Sequence, residues 1–316
     1  MHRIAVLDDY QSVAATFTDW SQLPEEAEVV EFHDHVADAD ELVARLRTFD
    51  VVIAMRERTT FPREVLERLP DLRLLVTTGM RNKSIDVEAA TELGITVCGT
   101  GAQATATVEL TWALILATLR NIPQEDAATR AGGWQQTIGG DLAGARLGVI
   151  GLGRIGSQVA RIGAAFGMDV VAWSQNLTDE RAAEVGARRV ERDELFATSD
   201  VVTVHLVWSK RTRGLITADD LALMMHTAVF INTSRGPIVD TSALVDVLRD
   251  GRIAGAGIDV YDQEPLPGDH PLLGLRNAVL TPHLGYVTRG SYEIYYREAV
   301  EDVAAWIAGN PVRLLG

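Results

Sequence analysis

Cysteine is nearly missing from this chain. Cys98 is the only one among 316 residues, so no intrachain disulfide can form. That usage fits a reducing compartment and speaks against a thiolate nucleophile. Lysine is almost as scarce: Lys83 and Lys210 stand alone, so local positive charge must come from arginine. An excess of positive charge is also lacking. The formal net charge is −15, which argues against nucleic acid and against an anionic membrane surface as partners. An anionic substrate would therefore need a locally positive pocket. There is no long apolar run, and Met1-His2-Arg3 leads straight into a strand pattern without a signal peptide, so a cytoplasmic location is expected. No fixed-period repeat and no low-complexity tract occur. His33 and His35 flank Asp34 with no third ligand in view, so no metal site is expected.

What is present reads as an ordinary globular chain, 47% hydrophobic and 23% charged. Its length suggests about two domains. Short apolar runs alternate with helical spacing: Ile4 to Leu7, Val29 to Phe32, Val51 to Ala54, Leu74 to Thr77 and Ile95 to Cys98 as strands. Helices are expected at Asp38 to Arg47, from Phe61-Pro62 through Leu69, and at Val87 to Leu93. Strands that are apolar throughout predict parallel sheets covered on both faces. A helix from Ala104 to about Leu119 is apolar almost all round, which predicts burial between domains or at a subunit interface. A polar, glycine-rich loop follows from Ala131 to Asp141. A second βα series then runs to Leu280, and a last helix, Ser291 to Ala308, can return to the first domain.

The second series opens on the most informative stretch of the chain. The strand pattern Leu147 to Ile150 runs into Gly151-x-Gly153-x-x-Gly156 and then into a helical pattern. Gly151 permits the tight turn, Gly153 lets a pyrophosphate approach the backbone, and Gly156 lets helix and strand pack closely. The helix N-terminus offers free N–H groups to phosphates, and Arg154 adds a full charge there. A dinucleotide is the expected ligand.

Polar residues gather beyond three later strands: Asn232 to Pro237, Asp259 to Pro265, and Thr281 to Gly285. In an open α/β sheet, ligands bind outside the carboxyl ends of the strands. Arg235, Glu264 and His283 can thus converge on one crevice. The set suits hydride transfer to a ketone beside a carboxylate. An arginine forks onto the carboxylate and polarises the carbonyl. A histidine gives the carbonyl oxygen its proton or takes one back. A glutamate holds the other ring nitrogen and fixes the tautomer.

With these residues in place, the chain resembles the D-isomer-specific 2-hydroxyacid dehydrogenases. The matching segments are Gly148 to Gly156, Asp200 to His205, Ile231 to Gly236, Ala256 to Pro265 and Thr281 to His283. The resemblance implies two Rossmann-like parallel-sheet α/β domains. The cofactor domain, 102–284, would be inserted into a split substrate-binding domain, 1–101 and 285–316. It also implies a homodimer with the helix near Trp112 at or near the interface. Arg235, Glu264 and His283 become the catalytic residues, and the backbone of Met80 and Arg81 holds the carboxylate of a small 2-keto or 2-hydroxy acid, with Arg235 and His283 also on the substrate. The cofactor side takes in Gly151, Gly153, Arg154, Ile155 and Gly156, and then Ser174, Gln175 and Asn176. His205, Val207, Thr212, Thr233, Ser234 and Gly285 join it, with Asp259 on the nicotinamide amide.

Three departures qualify the resemblance. An acid is usual about 20 residues past the first glycine, on the adenosine ribose; here Ser174-Gln175-Asn176 stands there, with no acid before Asp179. NAD is the default cofactor, and NADP is allowed, with Arg181 a candidate for a 2′-phosphate. Arg81 replaces a usual glycine, which suggests a second positive group at the pocket mouth; Arg56 and Arg58 invite the same question. Val207 stands where proline is usual, a change read as tolerated. The resemblance also admits a different class, a dinucleotide-sensing interaction protein of the corepressor type. No added partner-binding extension is visible to favour it.

Overall fold

Every apolar run read as a strand is one, and every pairing among the strands is parallel. The computed structural model describes residues 2–316. The chain divides into two compact units, 1–103 with 288–316, and 104–287.

The first unit holds a five-stranded sheet: β1 (His2–Val6), β2 (Ala27–Glu31), β3 (Val51–Ala54), β4 (Leu74–Thr77) and β5 (Thr96–Gly99). The order β2-β1-β3-β4-β5 reverses direction between β1 and β3. Central strands β3 and β4 are buried at every position, whereas the edge strand β2 is half-buried throughout and carries Glu28 and Glu31. Helices α1 (Ala14–Phe17), α2 (Ala39–Leu46), α3 (Arg63–Leu66) and α4 (Val87–Glu92) connect them. Asp38 caps α2 by accepting from the Asp40 and Glu41 N–H groups. Expected to reach Leu69, α3 is instead a single turn. Pro62 lies just outside it in extended backbone, and Phe61 pairs with Ile85 as a β-bridge. The last helix, Arg289–Ile307, belongs to this unit and packs on β4 and β5. Beyond it, Arg313 and Leu315 pair with β5 through Gly99 N–H to Arg313 O (3.0 Å) and Leu315 N–H to Val97 O (2.8 Å). That segment covers a sheet edge that would otherwise stand open.

The second unit begins with α5 (Thr105–Leu119) and α6 (Ile122–Arg130). Its seven strands are β6 (Arg146–Ile150), β7 (Asp169–Trp173), β8 (Arg188–Arg189), β9 (Val201–Val204), β10 (Val229–Asn232), β11 (Gly255–Ile258) and β12 (Ala278–Leu280). The intervening helices are α7 (Arg154–Ala165), α8 (Asp179–Ala183), α9 (Arg192–Thr198), α10 (Ala218–Leu223) and α11 (Thr241–Arg249). The order β12-β11-β10-β9-β6-β7-β8 places the switch in direction between β6 and β9. Within its own unit α5 packs on β10, β11 and α7. Trp112 is only 5% exposed and lies against Phe166, ring centres 4.9 Å apart. The sequence pattern missed α6. None of its residues is buried, and only Pro123 at its start marks it. Among the described residues no helix is long and apolar enough to cross a membrane.

Candidate active site

The glycine turn after β6 is shaped as the motif requires. Gly151 sits at φ +96°, where a side chain is strained, and a Cβ there would come within 2.7 Å of the His205 carbonyl oxygen. A Cβ on Gly156 would lie 2.1 Å from the Gly151 oxygen, so only glycine lets α7 sit this close to the turn. The position a Cβ would take on Gly153 is open, with no atom within 4 Å. Gly153 is the N-cap of α7 and supplies no side-chain cap, so the first helical N–H groups face that open space. Arg154 is exposed and Ile155 half-buried beside it. A pyrophosphate fits this donor set and this gap.

The Gly151 N–H donates to the Trp173 carbonyl at 2.9 Å, which brings the end of β7, with Ser174, Gln175 and Asn176, against the turn. From β9, the His205 N–H donates to Ile150 O at 2.8 Å, and its Nε2 lies 3.0 Å from Thr203 Oγ1. Burial pushes the His205 imidazole down to about 3, so it is neutral at pH 7. Val207 is largely exposed. Thr212 is spent on its own loop: its hydroxyl donates to Val207 O and accepts from the Ser209 N–H, both at 2.8 Å. Thr233 and Ser234 are likewise held by the scaffold, Thr233 Oγ1 at 2.8 Å from Thr111 Oγ1 and Ser234 Oγ on Val204 O at 2.8 Å.

Arg235, Glu264 and His283 follow β10, β11 and β12, and all three lie in the second unit. Asn232 sets the first loop, accepting from the Ser234 N–H and donating to Arg235 O, both at 3.0 Å. The Arg235 Nη1 donates to Ser234 O at 2.7 Å. Glu264 Oε1 accepts from the Tyr261 N–H at 2.9 Å, and its Oε2 lies 2.6 Å from His283 Nδ1. Burial pushes the Glu264 carboxyl up. The bond from His283, its charge, the Tyr261 N–H and the Arg235 guanidinium together outweigh burial and hold the group below the usual range. Glu264 is therefore ionised near neutrality and can only accept. The proton of the 2.6 Å bond belongs to His283 Nδ1, which leaves Nε2 available for chemistry.

His283 sits at φ +54°, a left-handed conformation uncommon outside glycine, asparagine and aspartate. Its N–H is held by Asp259 O (2.8 Å) and Thr281 O (3.0 Å). Asp259 anchors the same loop. Fully buried, it accepts at Oδ1 from Thr281 Oγ1 (2.6 Å) and Leu284 N–H (2.7 Å), and at Oδ2 from Gly285 N–H (2.9 Å). Burial pushes its carboxyl up against the pull of these donors. Thr107 of α5 donates to Gly285 O at 2.8 Å. Thr107 lay outside every motif, whereas Thr281 and Tyr261, whose hydroxyl donates to Thr281 O at 2.9 Å, stand inside matched segments that assigned them no role. The Glu264 and His283 side chains remain 31% and 16% exposed, so the pair is reachable.

In the first unit, Met80 and Arg81 lie exposed on the loop after β4. Arg56 braces that loop: its N–H donates to Thr78 Oγ1 (2.9 Å) and its Nη1 to Thr78 O (3.1 Å). Arg58 donates to Asp8 O at 2.7 Å. His35 pairs with Asp8 and His33 with the Asp9 carbonyl, at 2.8 and 3.0 Å.

Residues 112–285 match the family model described as the NAD-binding domain of D-isomer specific 2-hydroxyacid dehydrogenases. The glyoxylate reductase of Aeropyrum pernix is 41% identical over 257 residues, 78% of this chain and 77% of that protein. The hydroxypyruvate reductase of Blautia hydrogenotrophica is 31% identical over 99% of both chains. The solved phosphoglycerate oxidoreductase of Vibrio cholerae superimposes with a TM-score of 0.93 at 38% identity, covering 98% of this chain and all of that one.

Proposed function

The chain belongs to the D-isomer-specific 2-hydroxyacid dehydrogenase family of NAD-dependent oxidoreductases, and on that premise we propose that it reduces a small 2-keto acid, such as glyoxylate, hydroxypyruvate or pyruvate, reversibly to the D-2-hydroxy acid. The observation that carries this reading is the 2.6 Å bond between His283 Nδ1 and Glu264 Oε2, formed beside the Arg235 guanidinium. NADH, when bound at the Gly151–Gly156 turn, supplies the hydride. The Arg235 guanidinium takes the substrate carboxylate and stabilises negative charge growing on the carbonyl oxygen. Protonated His283 delivers the Nε2 proton to that oxygen and recovers it in the reverse direction. Glu264 keeps Nδ1–H fixed and balances the imidazolium charge. Asp259, held by Thr281 and the Leu284 and Gly285 N–H groups, fixes the loop on which His283 rides. In this reading the second unit is the cofactor domain and the first the substrate domain, whose Met80 and Arg81 N–H groups take the substrate carboxylate. A cytoplasmic homodimer completes the proposal. The dimer is supported by Trp134 and Ile138, 75% and 98% exposed on the loop before β6, rather than by the buried Trp112.

The test is a panel of glyoxylate, hydroxypyruvate and pyruvate with NADH, followed at the nicotinamide absorbance. Turnover of at least one, with D-glycerate as the product from hydroxypyruvate, is the expected result. No turnover of any, or an L-product, overturns the reading.

A further inference from the structure

Resting on the dehydrogenase reading above, we propose that Tyr286 is a positioning residue: its ring flanks the His283 imidazole and fixes the direction of Nε2, which the Glu264 bond alone leaves free to swing. The two ring centres lie 5.3 Å apart, with their planes inclined at 71°. That edge-to-face arrangement is a favoured geometry for aromatic pairs.

Two torsions, χ1 and χ2, aim the imidazole. The 2.6 Å bond from Nδ1 to Glu264 Oε2 fixes one corner of the ring. A single hydrogen bond tolerates a range of angles. Both torsions can therefore still move together and carry Nε2 through an arc. Nε2 lies across the ring from Cβ, so it travels further than Nδ1. A second ring standing nearly upright against the first stops that swing.

Tyr286 can act as a stop because it cannot retreat. It is only 6% exposed. Before it, Gly285 donates its N–H to Asp259 Oδ2 at 2.9 Å and accepts from the Thr107 hydroxyl at 2.8 Å. After it, the Val287 N–H donates to Leu284 O at 2.9 Å and closes a turn around Tyr286. The carbonyl of the same Asp259 holds the His283 N–H at 2.8 Å. The stop and the imidazole thus hang from one buried anchor. Glu264 sets which nitrogen carries the proton, and Tyr286 sets where the other one points. A misplacement of 1 Å costs about 100-fold in rate. Loss of the stop should therefore lower turnover and spare binding, which rests on Arg235 and the glycine turn.

The experiment compares full-length wild type, Tyr286→Phe, Tyr286→Leu and Tyr286→Ala. It measures kcat, the KM of the best 2-keto acid, NADH affinity, and NMR spectra with labelled histidine. The seven histidines are few enough to resolve, and the His283 signals are those lost in His283→Ala. Tyr286→Ala should lower kcat about 10- to 100-fold with KM and NADH affinity within a few-fold of wild type. Its His283 carbon-bound ring protons should shift and broaden, while Nδ1 stays protonated because Glu264 still accepts. Tyr286→Phe should keep both the rate and the ring signals. Tyr286→Leu, with bulk but no ring, should follow Tyr286→Ala in smaller measure, and it carries the test if the alanine variant fails to fold. Unchanged kcat overturns the proposal, as does a fall in kcat with unmoved His283 signals. Loss of the Nδ1 proton along with the ring signals also overturns it, since the whole loop has then given way. If wild type turns over no 2-keto acid, the dehydrogenase reading falls, and the His283 spectra alone decide whether Tyr286 orients the ring.

Discussion

A Cβ on Gly236 would stand 2.2 Å from the carbonyl carbon of Tyr261. The backbone that carries Arg235 therefore rests directly on the backbone that carries Glu264. The Tyr261 N–H in turn holds Glu264 Oε1 at 2.9 Å. Two of the three proposed catalytic groups are thus registered through one contact between main chains, and no side-chain rotation can relieve an intrusion there.

Gly236→Ala is expected to force those loops apart. Overpacking of this kind costs about 1–3 kcal/mol, read as a fall in melting temperature. Turnover should fall as well, because Arg235 and Glu264 shift relative to each other. A variant with wild-type melting temperature and rate contradicts the registration.

Glu264 predicts a pH dependence of stability. Its carboxyl is held below the usual range in the folded protein. A group so lowered contributes stability above its unfolded value, about 4.3, and that contribution is lost as pH falls through the folded pKa. Urea midpoints of wild type and Glu264→Gln should therefore differ most near neutrality. The gap should close in the acid range below about pH 4. A gap that stays constant with pH contradicts the assignment of an ionised Glu264.

Cys98 is expected to be inert. It lies fully buried on β5, and burial, followed by the charge of Asp302, pushes its thiol up to about 11. A thiol reagent at pH 8 should label the folded protein negligibly and the denatured protein once per chain. Fast labelling of the folded form contradicts the buried placement and leaves β5 open at the edge that Arg313 and Leu315 cover.

The parts of this account that were legible in the sequence are those that composition fixes locally. Val51–Ala54 and Leu74–Thr77 read as buried strands because every residue is apolar or β-branched and both faces are covered. The turn at Gly151 was legible because φ +96° and the close approach at Gly156 leave few alternatives to glycine. Arg235, Glu264 and His283 were legible as strand-end residues, since a parallel sheet sends all its carboxyl ends one way. The supports behind them were not. Thr107 on Gly285 joins residues 178 positions apart, and a lone threonine carries no pattern; Thr281 stood in a matched segment, but its bond to Asp259, 22 positions away, did not follow from that segment. The single turn of α3 escaped because its apolar spacing continues past Leu66 to Leu69, both buried, while the backbone stops being helical. The packing of α5 within its own unit escaped because an all-round apolar helix looks the same whatever covers it.

The central claim is that His283 transfers the proton. The most direct test compares wild type and His283→Ala with the best 2-keto acid of the panel, measuring turnover and, separately, NADH affinity. Loss of a general acid costs about 100-fold or more in kcat, so the account predicts a fall of at least that size with NADH affinity unchanged. Turnover within a few-fold of wild type would contradict it.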